Sequence, residues 1–389
     1  MDGNYWLGLL VQLIGIAMVL LSLVDVFMTV LYARVGTGPL SHRLATYAWP
    51  VVRRATRPLP HRTRYTLLSF FGPGYLVSLI TIWIALLLLG FTLFTWPELG
   101  RGVANTSGTT PTDFWTAFYY AGGSLTTVGN TPLQPASRLF KFINVIDSAL
   151  GISVMTLALS YVIQIYTALH GRNALVLGLH HASGSTGDAA ALLAGMGPGD
   201  DFSRAGSTVA NLAASATSVY EAHHFYSVLM YFRFSAPYYA MGRGSLLTME
   251  MITLIDTALD ENKHGWLAHS APITQLRQSG NHLMSELARV YLPCKPEEAA
   301  SADRDITDRW RLRYFAAIEH LRHCGISVTH DPQRNVERYV ALRREWDRYV
   351  MAFAHYMAYS TEEIDPASAD LNHAGRSHRE SDTLLPGAA

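Results

Sequence analysis

The segment 111–135, PTDFWTAFYYAGGSLTTVGNTPLQP, joins an aromatic, helix-forming run to a run of hydroxyl, glycine and small residues, a pairing suited to handling a desolvated cation. Thr112 or Asp113 is placed to cap a helix that runs to about Leu125. The aromatics Phe114, Trp115, Phe118, Tyr119 and Tyr120 suit a membrane setting, yet the segment is too short to cross a bilayer. Irregular backbone at membrane depth is tolerated only inside protein or against a water-filled cavity. A helix dipping in from outside turns its C-terminal end toward the membrane centre. That end carries about half a negative charge and stabilises a cation stripped of water. Two acids, Asp25 and Asp147, lie in otherwise apolar stretches, where a carboxyl group is costly and by default functional. For Asp147 three readings are open: pairing with pore-helix hydroxyls such as Ser124, protonation, or facing an ion path. Asp25 is expected to contact another helix or the Arg-rich loop that follows it.

Such a segment needs membrane-spanning helices to hold it. A bilayer core of roughly 30 Å takes about 20 apolar residues, and three stretches supply them, at about 5–32, 75–96 and 139–169. The loop between the first two carries Arg34, Arg43, Arg53, Arg54, Arg57, Arg62 and Arg64 and no acid. The positive-inside rule places that loop in the cytoplasm. The N-terminus and the 97–138 region are then outside, and everything after His170 is inside, at a plasma (inner) membrane. Voltage-sensing arginines recur at every third position of an apolar span; these sit in a polar loop with Pro50, Pro58 and Pro60. The loop reads instead as an amphipathic piece lying beside anionic headgroups. FGPG at 71–74 is expected to separate it from the second span.

The bulk composition sets limits. Formal net charge is zero over 389 residues, so no global field attracts nucleic acid. Two cysteines, Cys294 and Cys324, exclude a disulfide scaffold and fit a reducing compartment. Helical periodicity runs over 203–232, 245–262, 272–291, 303–324 and 333–360, and the tail after Thr361 is polar and expected to be disordered. No Walker sequence, dinucleotide fingerprint, zinc-protease helix or cyclic-nucleotide β-roll pattern appears, so neither an enzyme nor a cofactor is expected. His180 with His181, Glu221 with His223 and His224, and His320 with His323 and Cys324 read as surface or core residues rather than metal ligands. The fold expected is an all-α membrane protein with three transmembrane helices, a re-entrant pore helix and filter loop, and a helical cytoplasmic domain. Its divisions fall at 1–33 (extra first helix), 34–74 (Arg-rich segment), 75–170 (pore module), 171–360 (cytoplasmic domain) and 361–389 (tail).

The run TTVGNTP at 126–132 resembles the TTVGYGD selectivity filter of the potassium-channel superfamily. The likeness covers about 60 residues, from the pore helix to the end of the inner helix, with an outer helix preceding it. It implies a filter formed by Thr126, Thr127, Val128, Gly129, Asn130 and Thr131. Within it, Thr127 would supply a hydroxyl site, and the carbonyls of Thr127, Val128 and Gly129 would replace water around a potassium ion. One filter segment per chain implies a homotetramer. Gly151, 22 residues after Gly129, falls where related channels keep a hinge glycine, although close helix packing explains such a residue equally well. Ile152, Met155, Leu159 and Ile163 share one helix face and either line a gate that closes by dewetting or pack as core.

One departure stands out. The family's Tyr-Gly is Asn130-Thr131 here, and a β-branched threonine resists the positive φ that a glycine accepts. The run is also similar to the TTIGETPPP of cyclic-nucleotide-gated channels. That likeness implies a cation channel weakly selective among monovalent ions, passing sodium as well as potassium. Asn130 in place of that family's glutamate implies weak block by external divalent ions. The alternatives are a potassium-selective channel, or a membrane receptor whose channel-like segment does not conduct.

Overall fold

The computed structural model describes residues 3–32, 38–129, 132–292 and 304–368, which form two compact units. The first unit comprises Met1–Val52, Phe70–Thr167 and Phe225–Val228. Its helices are α1 (Gly3–Val26), closed by a π-helical turn at Phe27–Leu31, then α2 (Ser41–Ala55), α4 (Phe71–Thr95), α5 (Phe114–Leu125) and most of α6 (Arg138–Ala182). Three stretches are long and apolar enough to cross a membrane: Tyr5–Leu31, His61–Glu98 and Arg138–Ala182. The chain is an all-α membrane protein. Between α1 and α4 the backbones approach closely, since a β-carbon at Gly15 would lie 2.5 Å from the Gly90 carbonyl oxygen. Small residues allow this kind of contact between helices in lipid. FGPG at 71–74 opens α4 rather than preceding it. Pro73 sits in the first turn, where its missing N–H costs nothing.

Two short strands, β1 (Val103–Asn105) and β2 (Leu133–Pro135), pair antiparallel, with Val103 opposite Pro135 and Asn105 opposite Leu133. They strap the chain leaving α4 to the chain leaving the 126–132 run. Beneath them Leu99, Val103, Ala117, Tyr120, Leu133 and Phe140 form one buried cluster. The short helix α5 thus rests on apolar side chains from both flanking segments.

The second unit comprises Arg53–Ser69, Ala168–His224 and Leu229–Ala389. It holds α3 (His61–Ser69), the end of α6, α7 (Ala189–Met196), α8 (Ala205–Phe225), α9 (Met241–Thr257), α10 (Glu261–Ala268), α11 (Ala271–Tyr291), α12 (Arg304–His323), α13 (Pro332–Tyr356) and α14 (Thr361–Ile364). Helix α9 is buried on nearly every face and packs against α7, α11 and α13. Its run of Leu246, Leu247, Met249, Met251, Ile252, Leu254 and Ile255 is apolar all round, as a central helix requires. At its middle Glu250, fully buried, accepts from Arg343 Nη1 (2.5 Å) and Tyr339 Oη (2.8 Å) and pairs with Arg313 Nε (3.2 Å). Arg343 also holds Asp347 (3.2 Å) and Asp365 (2.6 Å). Each buried charge therefore has partners, without which the cost of burial would be several kcal/mol.

Two boundaries differ from the sequence reading. Chain order after Thr361 continues through helix α14 to Ser368, because a capping box at Ser360 and Glu363 starts the helix and Asp365 closes on Arg343. Residues 369–389 lie outside the described residues. The Arg-rich segment 34–74 is also not one piece. Helix α2 buries Ser41, Ala45 and Trp49, with Trp49 against Phe71 at 5.1 Å, and so belongs to the first unit up to Val52. Arg53–Ser69 belongs to the second unit. Arg53 donates to the carbonyls of His355 and Tyr356 (3.4 and 3.3 Å), and Tyr65 donates to Glu363 (2.7 Å).

Candidate ion-conduction site

Helix α5 starts where Asp113 accepts from the Thr116 N–H (3.0 Å) and hydroxyl (2.7 Å), and it ends at Leu125. Both ends coincide with the sequence reading. The chain then turns sharply. Thr126 has φ −88°, Thr127 has φ +59° and Gly129 has φ +69°, while Val128 between them keeps a negative φ. The sign of φ thus alternates along 126–129, unlike the uniformly negative φ of a strand. The amides are tied back to the helix: Thr127 N–H donates to Ser124 O (3.0 Å) and Gly129 N–H to Gly123 O (3.2 Å). Thr126 Oγ1 likewise donates to Gly122 O (2.6 Å). Among the described residues no donor bonds the carbonyls of Thr127, Val128 or Gly129.

A β-branched residue at positive φ is an outlier that costs roughly 1–3 kcal/mol and survives only where the surroundings impose it. Thr127 is such a residue, whereas Gly129 adopts the same conformation without strain. Residues Thr126, Thr127, Val128 and Gly129 are all exposed within one chain, Val128 at 67%. Asn130 and Thr131 lie outside the described residues.

Helix α6 is continuous through Gly151. A β-carbon added there would lie 3.0 Å from the carbonyl carbon of Leu125 and 3.1 Å from its Cδ1, and closer still to its carbonyl oxygen. Close approach to the end of α5 accounts for this glycine, and the helix runs through it unbroken. Two serines staple the same seam: Ser148 Oγ donates to Ser124 O (2.9 Å), and Ser124 Oγ donates to Asn144 O (3.2 Å). Ser148 went unnoticed in the sequence. Its only signal is being a hydroxyl three residues before Gly151 on the apolar α6. Ile152, Met155, Leu159 and Ile163 are 55, 55, 63 and 58% exposed, so one chain leaves this face uncovered. On α5 the large rings of Trp115 and Tyr119 are uncovered too.

The two acids have different settings. Asp25 is fully buried and accepts from the Leu40 and Ser41 N–H groups (2.7 and 3.2 Å) and from Trp83 Nε1 (2.7 Å). It ties α1 to the start of α2 and the middle of α4, and no arginine is among these contacts. Asp147 is buried on α6, and its Oδ1 has no hydrogen-bond partner among the described residues. The Ser124 hydroxyl bonds Asn144 O and Ser148 Oγ, and no hydrogen bond joins it to Asp147. Cys324 Sγ lies 3.7 Å from His320 Nε2, and among the described residues no group of three or more His, Cys, Asp or Glu could hold a metal ion.

Residues 78–168 match the ion channel family. A curated relative described as the uncharacterized membrane protein YdjJ of Bacillus subtilis (strain 168) is 25% identical over 170 residues, 43% of this chain and 48% of the relative. The match thus spans about half the length of the relative. No solved structure matches the chain. The span from α4 to α6, within an all-α membrane protein, is therefore the part of the chain similar to ion channels.

Proposed function

We propose that four copies of this chain surround a pore for monovalent cations, with potassium and sodium both permeant. The observation that carries this reading is the 126–129 backbone, where the sign of φ alternates even at the cost of a strained threonine. A single chain offers one carbonyl per level, and a desolvated cation needs several. Four copies around an axis supply them. They would also cover the faces of α5 and α6 that one chain leaves exposed. Asn130 and Thr131, in place of a Tyr-Gly pair, shorten the run of sites and weaken discrimination against sodium.

The Arg-rich segment sets the orientation, with the N-terminus outside and the second unit in the cytoplasm of a plasma (inner) membrane. A potassium-selective pore is the second reading. It is favoured by the alternation reaching Gly129 intact, which supports the inner sites. Both readings are tested with purified protein in vesicles, together with the mass of the detergent-extracted assembly. A mass of four chains and cation efflux abolished by Gly129→Ala are the expected results. Efflux unchanged by that substitution would remove the filter from the account.

A further inference from the structure

The second unit holds a cavity of about 40 Å³ whose charged lining is two arginines and whose other lining includes the rings of Tyr239 and Tyr359. Arg172 on α6 and Arg233 before α9 both face it, and the rest of the wall is apolar and soft, including Met230, Met241, Met284 and Met357. No aspartate or glutamate lines it. Both arginines are almost wholly buried, at 3% and 2% exposure. Arg172 donates to the carbonyls of Leu229 (2.7 Å) and Phe232 (2.8 Å), and its Nε–H is buried with no partner. Arg233 donates to Met357 O (2.9 Å) and Ala358 O (3.3 Å) and lies between the rings of Tyr65 and Tyr359. Among the described residues no carboxylate is within ion-pairing distance of either.

Carbonyls at helix ends offset part of a guanidinium charge. They do not cancel it: Glu363, held by Tyr65, acts on Arg233 only from beyond ion-pairing distance, and a buried charge without a close counter-charge is expensive. The other buried arginines of this unit, Arg313 and Arg343, each sit directly on carboxylates. Arg172 and Arg233 sit on a cavity instead.

We propose that this cavity is a binding site for a carboxylate carried on an apolar body, the anion meeting Arg172 and Arg233 and the body meeting the methionines. The volume fits a carboxylate with a few carbons, since about 10–15 Å³ holds one water-sized group. It excludes a nucleotide. Methionine side chains adapt to varied apolar shapes, which allows for a longer tail leading outward. The carboxylate would come either from a free short-chain acid or from the head of a fatty acid.

The site stands independently of conduction, and its test measures binding alone. Full-length protein in detergent is titrated by calorimetry, at fixed ionic strength, with propionate, laurate, propionamide and phosphate. Saturable binding of propionate identifies a free acid as the source; binding of laurate alone identifies an acyl chain. Propionamide has the shape without the charge, and phosphate the charge without the apolar body. Each should bind at least about tenfold more weakly, a difference of about 1.4 kcal/mol. Met284→Trp fills the cavity without touching either arginine's carbonyl contacts and should weaken the carboxylate by a similar factor. Met241→Phe is a milder filling if the larger one unfolds the protein. No saturable carboxylate binding, or propionamide or phosphate binding as tightly, would overturn the proposal.

Discussion

Replacing Gly151 by alanine separates a hinge from a packing contact by the sign of a single number. In a helix free of neighbours, alanine gains about 1 kcal/mol over glycine. A hinge glycine therefore becomes a stabilised, stiffer helix when it is replaced. At Gly151 the added carbon meets the backbone of Leu125, at 3.0 Å from its carbonyl carbon. A backbone cannot rotate aside as a side chain can, so α6 must shift away from α5 or the Ser124–Ser148 staple must stretch. Overpacking of this kind costs about 1–3 kcal/mol. A clash with backbone places it in the upper part of that range, which leaves a net loss of about 1–2 kcal/mol after the propensity gain. The measurement is the unfolding midpoint of Gly151→Ala against wild type in detergent, paired with potassium flux from vesicles. Both should fall, because the displaced carbonyl lies where α5 meets the 126–129 turn. A variant as stable as wild type or more so, with reduced flux, would refute the packing argument and restore the hinge.

Three further outcomes follow from particular contacts. Asp25→Asn puts an amide N–H₂ against either the Trp83 indole or the α2 N–H groups; it should cost roughly 2–3 kcal/mol, and an unshifted thermal midpoint would contradict the reading of Asp25 as a structural acceptor. Thr127→Gly relieves the positive φ of 59°. It should leave the unfolding free energy within about 1 kcal/mol, because glycine's extra unfolded-state entropy offsets the relief, while lowering the potassium-to-sodium permeability ratio through the lost hydroxyl. Destabilisation well beyond that would mean Thr127 is not strained. Burial pushes the Asp347 carboxyl up to about 6 against the partial opposition of Arg343. A raised carboxyl contributes stability that is present at low pH and lost as pH climbs through the folded value. Wild type should therefore lose on the order of 2 kcal/mol relative to Asp347→Asn between about pH 4 and pH 7, read from denaturation at both ends. A constant difference across that range would refute it.

The parts of the molecule legible in its sequence are those fixed by local chemistry. Long apolar runs announce α1, α4 and α6, and Asp113 with the aromatic run announces α5, because capping and hydropathy act within a few residues. Of the second unit's helices, α8, α9, α11, α12 and α13 follow from period, with Asp331-Pro332 opening α13, while α7 and α10 do not stand out as separate helices. What periodicity hides is pairing across distance. Glu250, Arg313, Arg343 and Asp365 come from four segments, and only the Arg343–Asp347 spacing of one helical turn hinted at the cluster. Because Asp365 belongs to that cluster, a polar stretch that composition marks as disordered is folded up to Ser368. Asp25 shows the same limit: its position in an apolar span was visible, its three donors were not. Gly151 was visible as a glycine in a helix, and only the Leu125 carbonyl beside it shows why it is there. At Thr127 the sequence pattern suggests coordination, while the positive φ of a β-branched residue is something only coordinates supply.

The most direct test of a weakly selective cation pore is the reversal potential of the purified protein in a planar bilayer, with potassium on one side and sodium on the other. Clear current reversing near zero is the predicted result. Clear current reversing at the potassium limit would contradict the role assigned to Asn130 and Thr131.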